Sequence, residues 1–214
     1  MRPLNVLIGC EFSGMVREEF RKLGHYAWSC DLLPCEHSEG GHHFEGDVRD
    51  FINATCPETG EPWDIGIFFP PCTYLCNSGV RWLYGGKGKM RDVSRWGALQ
   101  AGAKFFRALL ECGIPRIAVE NPIMHKYARE IVGRGPDQIV QPWQFGHGET
   151  KATGLWLRNL PLLKPTRIVE GRKPRVHFAS PGPERWRERS RTYTGIAAAM
   201  ARQWGGDARK ITYT

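Results

Sequence analysis

The chain has 214 residues, a formal charge of +8 at pH 7 and a hydrophobic content of 41%. This length and hydrophobicity suit one domain with a sizeable core, and they exclude wholesale disorder. No run of about 18 apolar residues exists and the amino terminus has no charged-then-apolar leader, so we expect neither a membrane span nor a secretion signal.

Strand and helix patterns alternate along the chain. Apolar runs predict strands at 4–8, 26–30, 65–69 and 116–120, with short strands at Ile139 and at 155–157. Helical spacing predicts helices at 15–23 and 93–110, and an alanine-rich segment predicts another at 194–204. This alternation predicts an α/β fold with a Rossmann-like, doubly wound and mostly parallel sheet.

Residues 164–189 depart from this pattern. They are rich in proline and arginine and lack periodicity, so we expect a basic insertion or arm on a single domain that spans residues 1–214. Ten Lys/Arg and three Glu lie between Arg158 and Arg191, and a second basic cluster lies at 81–95. Basic stretches mixed with aromatic residues suit nucleic acid as a partner, although an ordinary solvated surface can have the same composition.

The cysteine content bears on the compartment. Seven cysteines are an odd number without the density of a disulfide scaffold. We therefore expect free thiols and a reducing compartment, with a cytoplasmic location as the default.

The most informative segment is Ile-Gly-Ile-Phe-Phe-Pro-Pro-Cys-Thr-Tyr at 65–74. The predicted strand must stop at Pro70 and Pro71, because proline cannot continue a ladder of hydrogen bonds. Cys72 is thereby placed at the carboxyl end of a strand, where open α/β sheets bind ligands. It is a candidate nucleophile, and a buried structural thiol is the alternative interpretation.

Four further features stand near the ends of other strands or in a loop. Residues 9–14, Gly-Cys-Glu-Phe-Ser-Gly, form a turn that suits close approach of a cofactor to the backbone. Asp31 ends the next strand, where an acid can hold ribose hydroxyls. Asp47 is a second loop acid, with a simple Gly-Asp turn as the alternative. Glu120 and Asn121 lie in Val-Glu-Asn-Pro at 119–122.

In this order the motifs resemble the cytosine-5 DNA methyltransferase family. The resemblance implies that S-adenosylmethionine is the cofactor, with Asp31 at its ribose and Asp47 at its adenine. The residues that it assigns to cofactor binding are Phe12, Ser13, Gly14, Asp31, Leu32, Asp47, Val48, Pro70 and Gly195.

The same resemblance implies roles in catalysis. Cys72 would attack the cytosine ring, Glu120 would act as the acid at the ring nitrogen, and Asn121 would help to hold the base. Lys151 and Arg191 are candidates for cations that hold the base or a phosphate. The implied substrate is cytosine, most of all in DNA.

These residue types suit the chemistry. Cytosine is a poor nucleophile at its methyl-accepting carbon, and addition of a thiolate to the neighbouring ring carbon makes that position reactive. The cysteine must therefore have thiolate character, and the glutamic acid must keep its proton near neutral pH, as partial burial would allow. A base in a duplex would also have to leave the stack.

The chain departs from the family pattern within its motifs and, most importantly, in lacking a large target-recognition region. Thr73, Pro122 and Met15 replace the usual glutamine, valine and glycine of the motifs. Only about 40 residues separate Thr150 from Arg191, which is too few for a large region that reads base edges. In this the chain resembles compact proteins encoded by bacteriophages, which would place it in the cytoplasm of a bacterial host.

Other functions remain open at this point. The motif departures allow a non-catalytic, basic nucleic-acid-binding protein on a degenerate methyltransferase fold. The small size allows an enzyme that modifies a free pyrimidine nucleotide. A zinc site is a further alternative, although its five candidate ligands are irregularly spaced and we expect no metal: Cys30, Cys35, His37, His42 and His43.

Overall fold

A computed structural model describes residues 2–37, 41–85, 90–175, 182 and 185–208. Its strands, in chain order, are β1 (Asn5–Gly9), β2 (Tyr26–Asp31), β3 (His43–Glu45), β4 (Ile65–Phe68), β5 (Tyr84–Gly85), β6 (Met90–Arg91), β7 (Arg116–Pro122), β8 (Gln138–Val140) and β9 (Thr153–Arg158). Its helices are α1 (Met15–Lys22), α2 (Val48–Phe51), α3 (Asn77–Val80), α4 (Val93–Glu111), α5 (Lys126–Val132), α6 (Arg185–Ser190) and α7 (Thr194–Met200).

Seven of these strands form one mixed sheet in the order β3-β2-β1-β4-β7-β9-β8. The first five in this order pair in parallel, whereas β9 is antiparallel to both β7 and β8. The predicted α/β fold with a mostly parallel, doubly wound sheet is therefore confirmed. The winding direction reverses between β1 and β4, and the crevice outside the carboxyl ends of such strands is where ligands bind in these sheets.

Helices cover both faces of the sheet. On one face α1 and α7 pack against Val6 and Ile8, and on the other α4 and α5 enclose Leu7, which lies in a second core cluster with Trp156. Alternate residues of a strand point to opposite faces, so a strand covered on both sides is apolar at almost every position. This explains why β1 reads as a continuous hydrophobic run.

The predicted long helices are present with small shifts at their ends. The helix predicted at 194–204 begins as α7 and continues as a π-helical turn, Ala201–Gly205. Strand β3 was not predicted, because three residues are too few to display an alternation of apolar and polar side chains. Helices α2 and α5 were also not predicted.

Part of the basic segment 164–189 is ordered against the rest of the domain. Gly146 N donates to the Arg167 carbonyl at 2.8 Å, and Lys173 N donates to the Gly148 carbonyl at 2.9 Å. Residues 176–181, 183 and 184 lie outside the described residues, and α6 follows them. Within the described ranges, no helix combines the length and apolar character needed to cross a membrane.

Candidate active site

The carboxyl ends of β4 and β7 bring the predicted nucleophile and the predicted acid to one cavity. β4 ends at Phe68, and a helical turn starts at Cys72, whose carbonyl accepts from Leu75 N at 2.9 Å and Cys76 N at 3.1 Å. Glu120 lies in β7, the neighbour of β4 in the sheet. Both residues line a cavity of about 410 Å³, called the main cavity below.

A second cavity, called the side cavity, has a volume of about 390 Å³ and shares Asp31 and Leu32 with the first. The predicted site residues on the main cavity are Phe12, Ser13, Asp31, Leu32, Pro70, Cys72, Glu120 and Lys151. The side cavity adds Asp47 and Val48. The two cavities together lie at the point where the sheet changes its winding direction.

Phe12 and Ser13, in the turn after β1, line the main cavity. Gly14 caps α1 with φ of 73°, a left-handed conformation that favours glycine. An added Cβ there would lie 2.8 Å from the guanidinium of Arg17. Phe12 and Ser13 are buried beside it.

Glu11 is a cavity residue that the sequence analysis missed. It is only 5% exposed, and its Oε1 accepts from Met15 N at 3.1 Å and from the Ser13 hydroxyl. Its Oε2 is buried and has no hydrogen-bond partner in the described structure. Burial raises the pKa of Glu11 to about 7, against the effect of these hydrogen bonds and of the Arg17 charge. The position of Glu11 just after a strand that reads as buried could have identified it from the sequence.

The two predicted cofactor acids differ in their environment. Asp31 Oδ1 accepts from Leu33 N at 3.0 Å, and burial raises the pKa of this carboxyl. Asp47 caps α2 and accepts from both the backbone and the guanidinium of Arg49, at 2.9 and 3.0 Å. The bond from the Arg49 side chain lowers the pKa of Asp47.

One acidic and one basic side chain, Glu120 and Lys151, act on the predicted nucleophile Cys72. Burial raises the pKa of Glu120, while the charge of Lys151 and the nearby Thr153 side chain act the other way. Lys151 Nζ donates to the Arg189 carbonyl at 2.7 Å. The neighbouring Cys76, burial and the charge of Glu120 raise the pKa of the Cys72 thiol, and the charge of Lys151 acts the other way.

Four predicted residues do not line either cavity, and Gly14, the cap of α1, is one of them. Asn121 is fully buried; its Nδ2 donates to the Pro122 carbonyl, and its Oδ1 has no partner in the described structure. Arg191 forms an ion pair with Glu36 at 2.8 Å. Gly195 lies in α7, where its N–H donates to His147 Nε2 at 3.0 Å.

Two of the five candidate zinc ligands, Cys35 and His43, have hydrogen-bond partners within the protein. Cys35 Sγ accepts from the Arg17 guanidinium at 3.3 Å, and the ring of His43 contacts the Ser29 hydroxyl and the Leu33 carbonyl. Among the residues that the structure describes, no three His, Cys, Asp or Glu side chains come together as a metal site.

No protein-family model and no curated protein matches the sequence. Solved structures similar to this chain include methyltransferases. A putative DNA modification methyltransferase encoded within an E. coli prophage is 18% identical, with a TM-score of 0.47 over 78% of this chain and 52% of the other. The methyltransferase EhMeth of Entamoeba histolytica is 13% identical, with a TM-score of 0.44 over 79% and 58%. A mutant of DNMT2 from Spodoptera frugiperda is 12% identical, with a TM-score of 0.40 over 78% and 54%. The chain spans about half the length of these proteins.

Proposed function

We propose that this protein transfers a methyl group from S-adenosylmethionine to carbon 5 of cytosine in DNA, through a covalent adduct with Cys72. One observation carries the proposal. Cys72 and Glu120 come from adjacent strands to the same cavity, which also holds the turn after β1 and Asp31. These are the groups that the motif resemblance assigns to nucleophile, acid and cofactor site.

The residues present fit the cofactor. Its amino-acid part carries an ammonium group, and the buried, unpartnered Oε2 of Glu11 is a suitable acceptor for it. Asp31 suits ribose hydroxyls, and the side cavity, with Leu32 and Val48 among its lining residues, suits a purine. When bound, the cofactor would supply an electrophilic methyl group.

The protein's own groups activate the base. The sulfur of Cys72 adds to carbon 6 of cytosine, and Glu120 donates its proton to the ring nitrogen, so that carbon 5 becomes nucleophilic. Burial raises the pKa of Glu120, which favours the protonated form that this role requires. After methyl transfer, the proton on carbon 5 passes to solvent, the carbon 5–carbon 6 double bond re-forms as the S–C bond breaks, Cys72 leaves as a thiolate, and the ring nitrogen returns its proton to Glu120.

Transfer of labelled methyl groups tests the proposal. S-adenosylmethionine would be offered with duplex DNA, single-stranded DNA, RNA or deoxycytidine monophosphate, using the wild type, Cys72→Ser, Glu120→Gln and the control Cys112→Ser, which alters a thiol away from both cavities. We expect 5-methylcytosine in duplex DNA. We expect Cys72→Ser to abolish transfer, Glu120→Gln to slow it by roughly 10²–10⁴-fold, and the control to retain it.

Other outcomes of this assay would support one of the alternative functions. Label in the mononucleotide alone would favour the free-nucleotide enzyme, which the short stretch between Thr150 and Arg191 also allows. Calorimetry of cofactor binding separates the remaining cases. Binding without transfer to any substrate would contradict cytosine methylation, and absence of binding would favour the non-catalytic protein.

A further inference from the structure

The end of α6 and the two residues that follow it form one wall of the main cavity. Residues 187–192 are called the strap below, and three of them line the cavity: Arg189, Ser190 and Thr192. Cys72 and Glu120 line the same cavity. A cofactor or a base bound there would therefore lie against the strap.

An ion pair with Glu36 attaches the strap on one side. Arg191 donates from Nε and Nη2 to the two carboxylate oxygens of Glu36, at 2.9 and 2.8 Å. Arg187 adds a second positive charge, with its Nε 3.4 Å from the same carboxylate. Glu36 is joined in turn to the turn after β1, because its backbone N–H donates to the Phe12 carbonyl at 2.9 Å. The ion pair thus connects the strap to the turn that we assign to the cofactor.

Lys151 attaches the strap on another side of the cavity. Its Nζ donates to the Arg189 carbonyl at 2.7 Å. Lys151 stands just before β9, and β9 begins at the edge of the sheet where β1 ends, because it runs antiparallel to β7. In the sheet, β4 and β7 lie between β1 and β9. The two attachments therefore flank the strand ends at which Cys72 and Glu120 stand.

The geometry of the pair between Glu36 and Arg191 favours a firm attachment. A single exposed ion pair contributes little to stability, whereas a bidentate pair within a network of charges contributes more. The side chain of Glu36 is only 22% exposed, so solvent and salt screen the pair less than they would at an open surface. The hydrogen bond from Arg191 lowers the pKa of Glu36, so the carboxylate is charged at neutral pH.

We propose that Glu36 is a positioning residue that holds the strap against the main cavity and thereby slows the release of S-adenosylmethionine. This inference rests on the proposed function, which takes the main cavity as part of the cofactor site. Glu36 is attached beside Phe12, on the cofactor side of the cavity, so losing the ion pair opens the cavity there rather than at Cys72. Cofactor release should change more than the rate of the chemical step.

Hydrogen exchange of the strap tests the attachment without cofactor or substrate. The full chain would be compared as wild type, Glu36→Gln, Arg191→Gln and the double variant, by mass spectrometry of peptides that cover the strap. We expect exchange to be roughly three- to tenfold faster in each single variant, because a charge-assisted bidentate pair is lost. In the double variant the increase should be smaller than the product of the two single effects, because residues in direct contact are not additive.

Salt and a second ion pair provide the controls. High salt should reduce the difference between the wild type and Glu36→Gln, because it screens the pair that only the wild type has. Glu111 pairs with Arg107 at 2.8 Å on α4, and neither residue lines the main or the side cavity. Glu111→Gln should therefore leave exchange in the strap unchanged.

Dissociation of labelled S-adenosylmethionine, chased with excess unlabelled cofactor, tests the consequence. We expect release from Glu36→Gln to be faster by a similar factor, roughly three- to tenfold, and release from Glu111→Gln to equal that from the wild type. The rate of a single turnover, started from the enzyme with cofactor already bound, should change much less than the rate of release.

Three results would overturn the proposal: equal strap exchange in the wild type and Glu36→Gln, single effects that multiply in the double variant, or faster exchange with unchanged cofactor release. If circular dichroism shows that Glu36→Gln does not fold, Arg191→Gln decides by the same two measurements. A wild type that binds no S-adenosylmethionine would refute the proposed function, and with it the role in cofactor release, while the exchange data would still establish the attachment of the strap.

Discussion

At the scale of single residues, Glu11 would make binding of the proposed cofactor depend on pH. In the folded protein burial raises its pKa to about 7 from an ordinary 4.5, so much of it is protonated just below neutral pH. An ammonium group beside Oε2 favours the carboxylate, lowers this pKa and releases the proton on binding. The release should be largest between the two pKa values and disappear well above pH 7.

Calorimetry in two buffers of different ionisation enthalpy measures this release. We expect up to roughly one proton released per S-adenosylmethionine near pH 6, since a group with a pKa of about 7 is then mostly protonated. Glu11→Gln should release none and bind more weakly. 5′-Methylthioadenosine lacks the amino-acid part and serves as the matched probe. Equal release with both ligands would show that the proton comes from another group.

Motifs at strand ends made some site residues predictable, and tertiary burial decided the others. Cys72 and Glu120 could be placed because each follows or ends an apolar run that reads as a strand. The role of Glu11 depends on an oxygen that burial leaves without a partner, which no local pattern displays. The ion pair of Arg191 with Glu36 joins residues 155 positions apart, so the sequence could not show that this cation is held away from the main cavity.

At the scale of elements, strand direction limited what could be predicted. Apolar periodicity identifies a strand but carries no information on the direction in which it pairs, so the antiparallel insertion of β9 between β7 and β8 was not foreseen. That insertion places Leu155 opposite Glu120 in the sheet and brings Thr153 to the main cavity. Part of the environment of Glu120 therefore comes from β9, a strand whose direction cannot be predicted from the sequence pattern.

Helix α7 depends on a close backbone contact at Gly195. An added Cβ there would lie 1.8 Å from the Phe145 carbonyl oxygen, and a backbone atom cannot move aside as a flexible side chain can. Residues Ile196 and Met200 of α7 line the main cavity. We expect Gly195→Ala to lower the free energy of unfolding by about 3 kcal/mol, in the range for overpacked sites, and to weaken cofactor binding.

Gly97→Ala is the matched control for that substitution. Gly97 lies exposed in α4, and no atom would be within 4 Å of its new Cβ. In this position alanine should raise the free energy of unfolding by about 0.5–1 kcal/mol, because it removes backbone freedom from the unfolded chain. Urea unfolding of both variants measures the contrast, and equal stability of the two would contradict the steric argument.

At the scale of the whole molecule, a third of the basic residues lie in one segment of the chain, part of which reaches the main cavity. The net charge is +8, and the segment from Arg158 to Arg191 holds ten of the 30 basic residues. Within it, Arg189 lines the main cavity and the guanidinium of Arg187 lies 5.9 Å from the ring of Phe12. A substrate with several phosphates would therefore gain from this charge in a way that a mononucleotide cannot.

Salt dependence distinguishes these two kinds of substrate. Each phosphate neutralised by Lys or Arg releases counterions from DNA, so the affinity for a duplex falls steeply as salt rises. Two such contacts suffice for about a tenfold loss between roughly 50 and 200 mM salt, and more contacts increase the loss. We expect at least this loss for a short cytosine-containing duplex, measured by fluorescence anisotropy, and a much smaller one for deoxycytidine monophosphate in competition. A duplex affinity that does not change with salt would mean that the basic segment does not contact the phosphate backbone. The substrate of cytosine methylation would then have to reach the main cavity without contacting the basic segment.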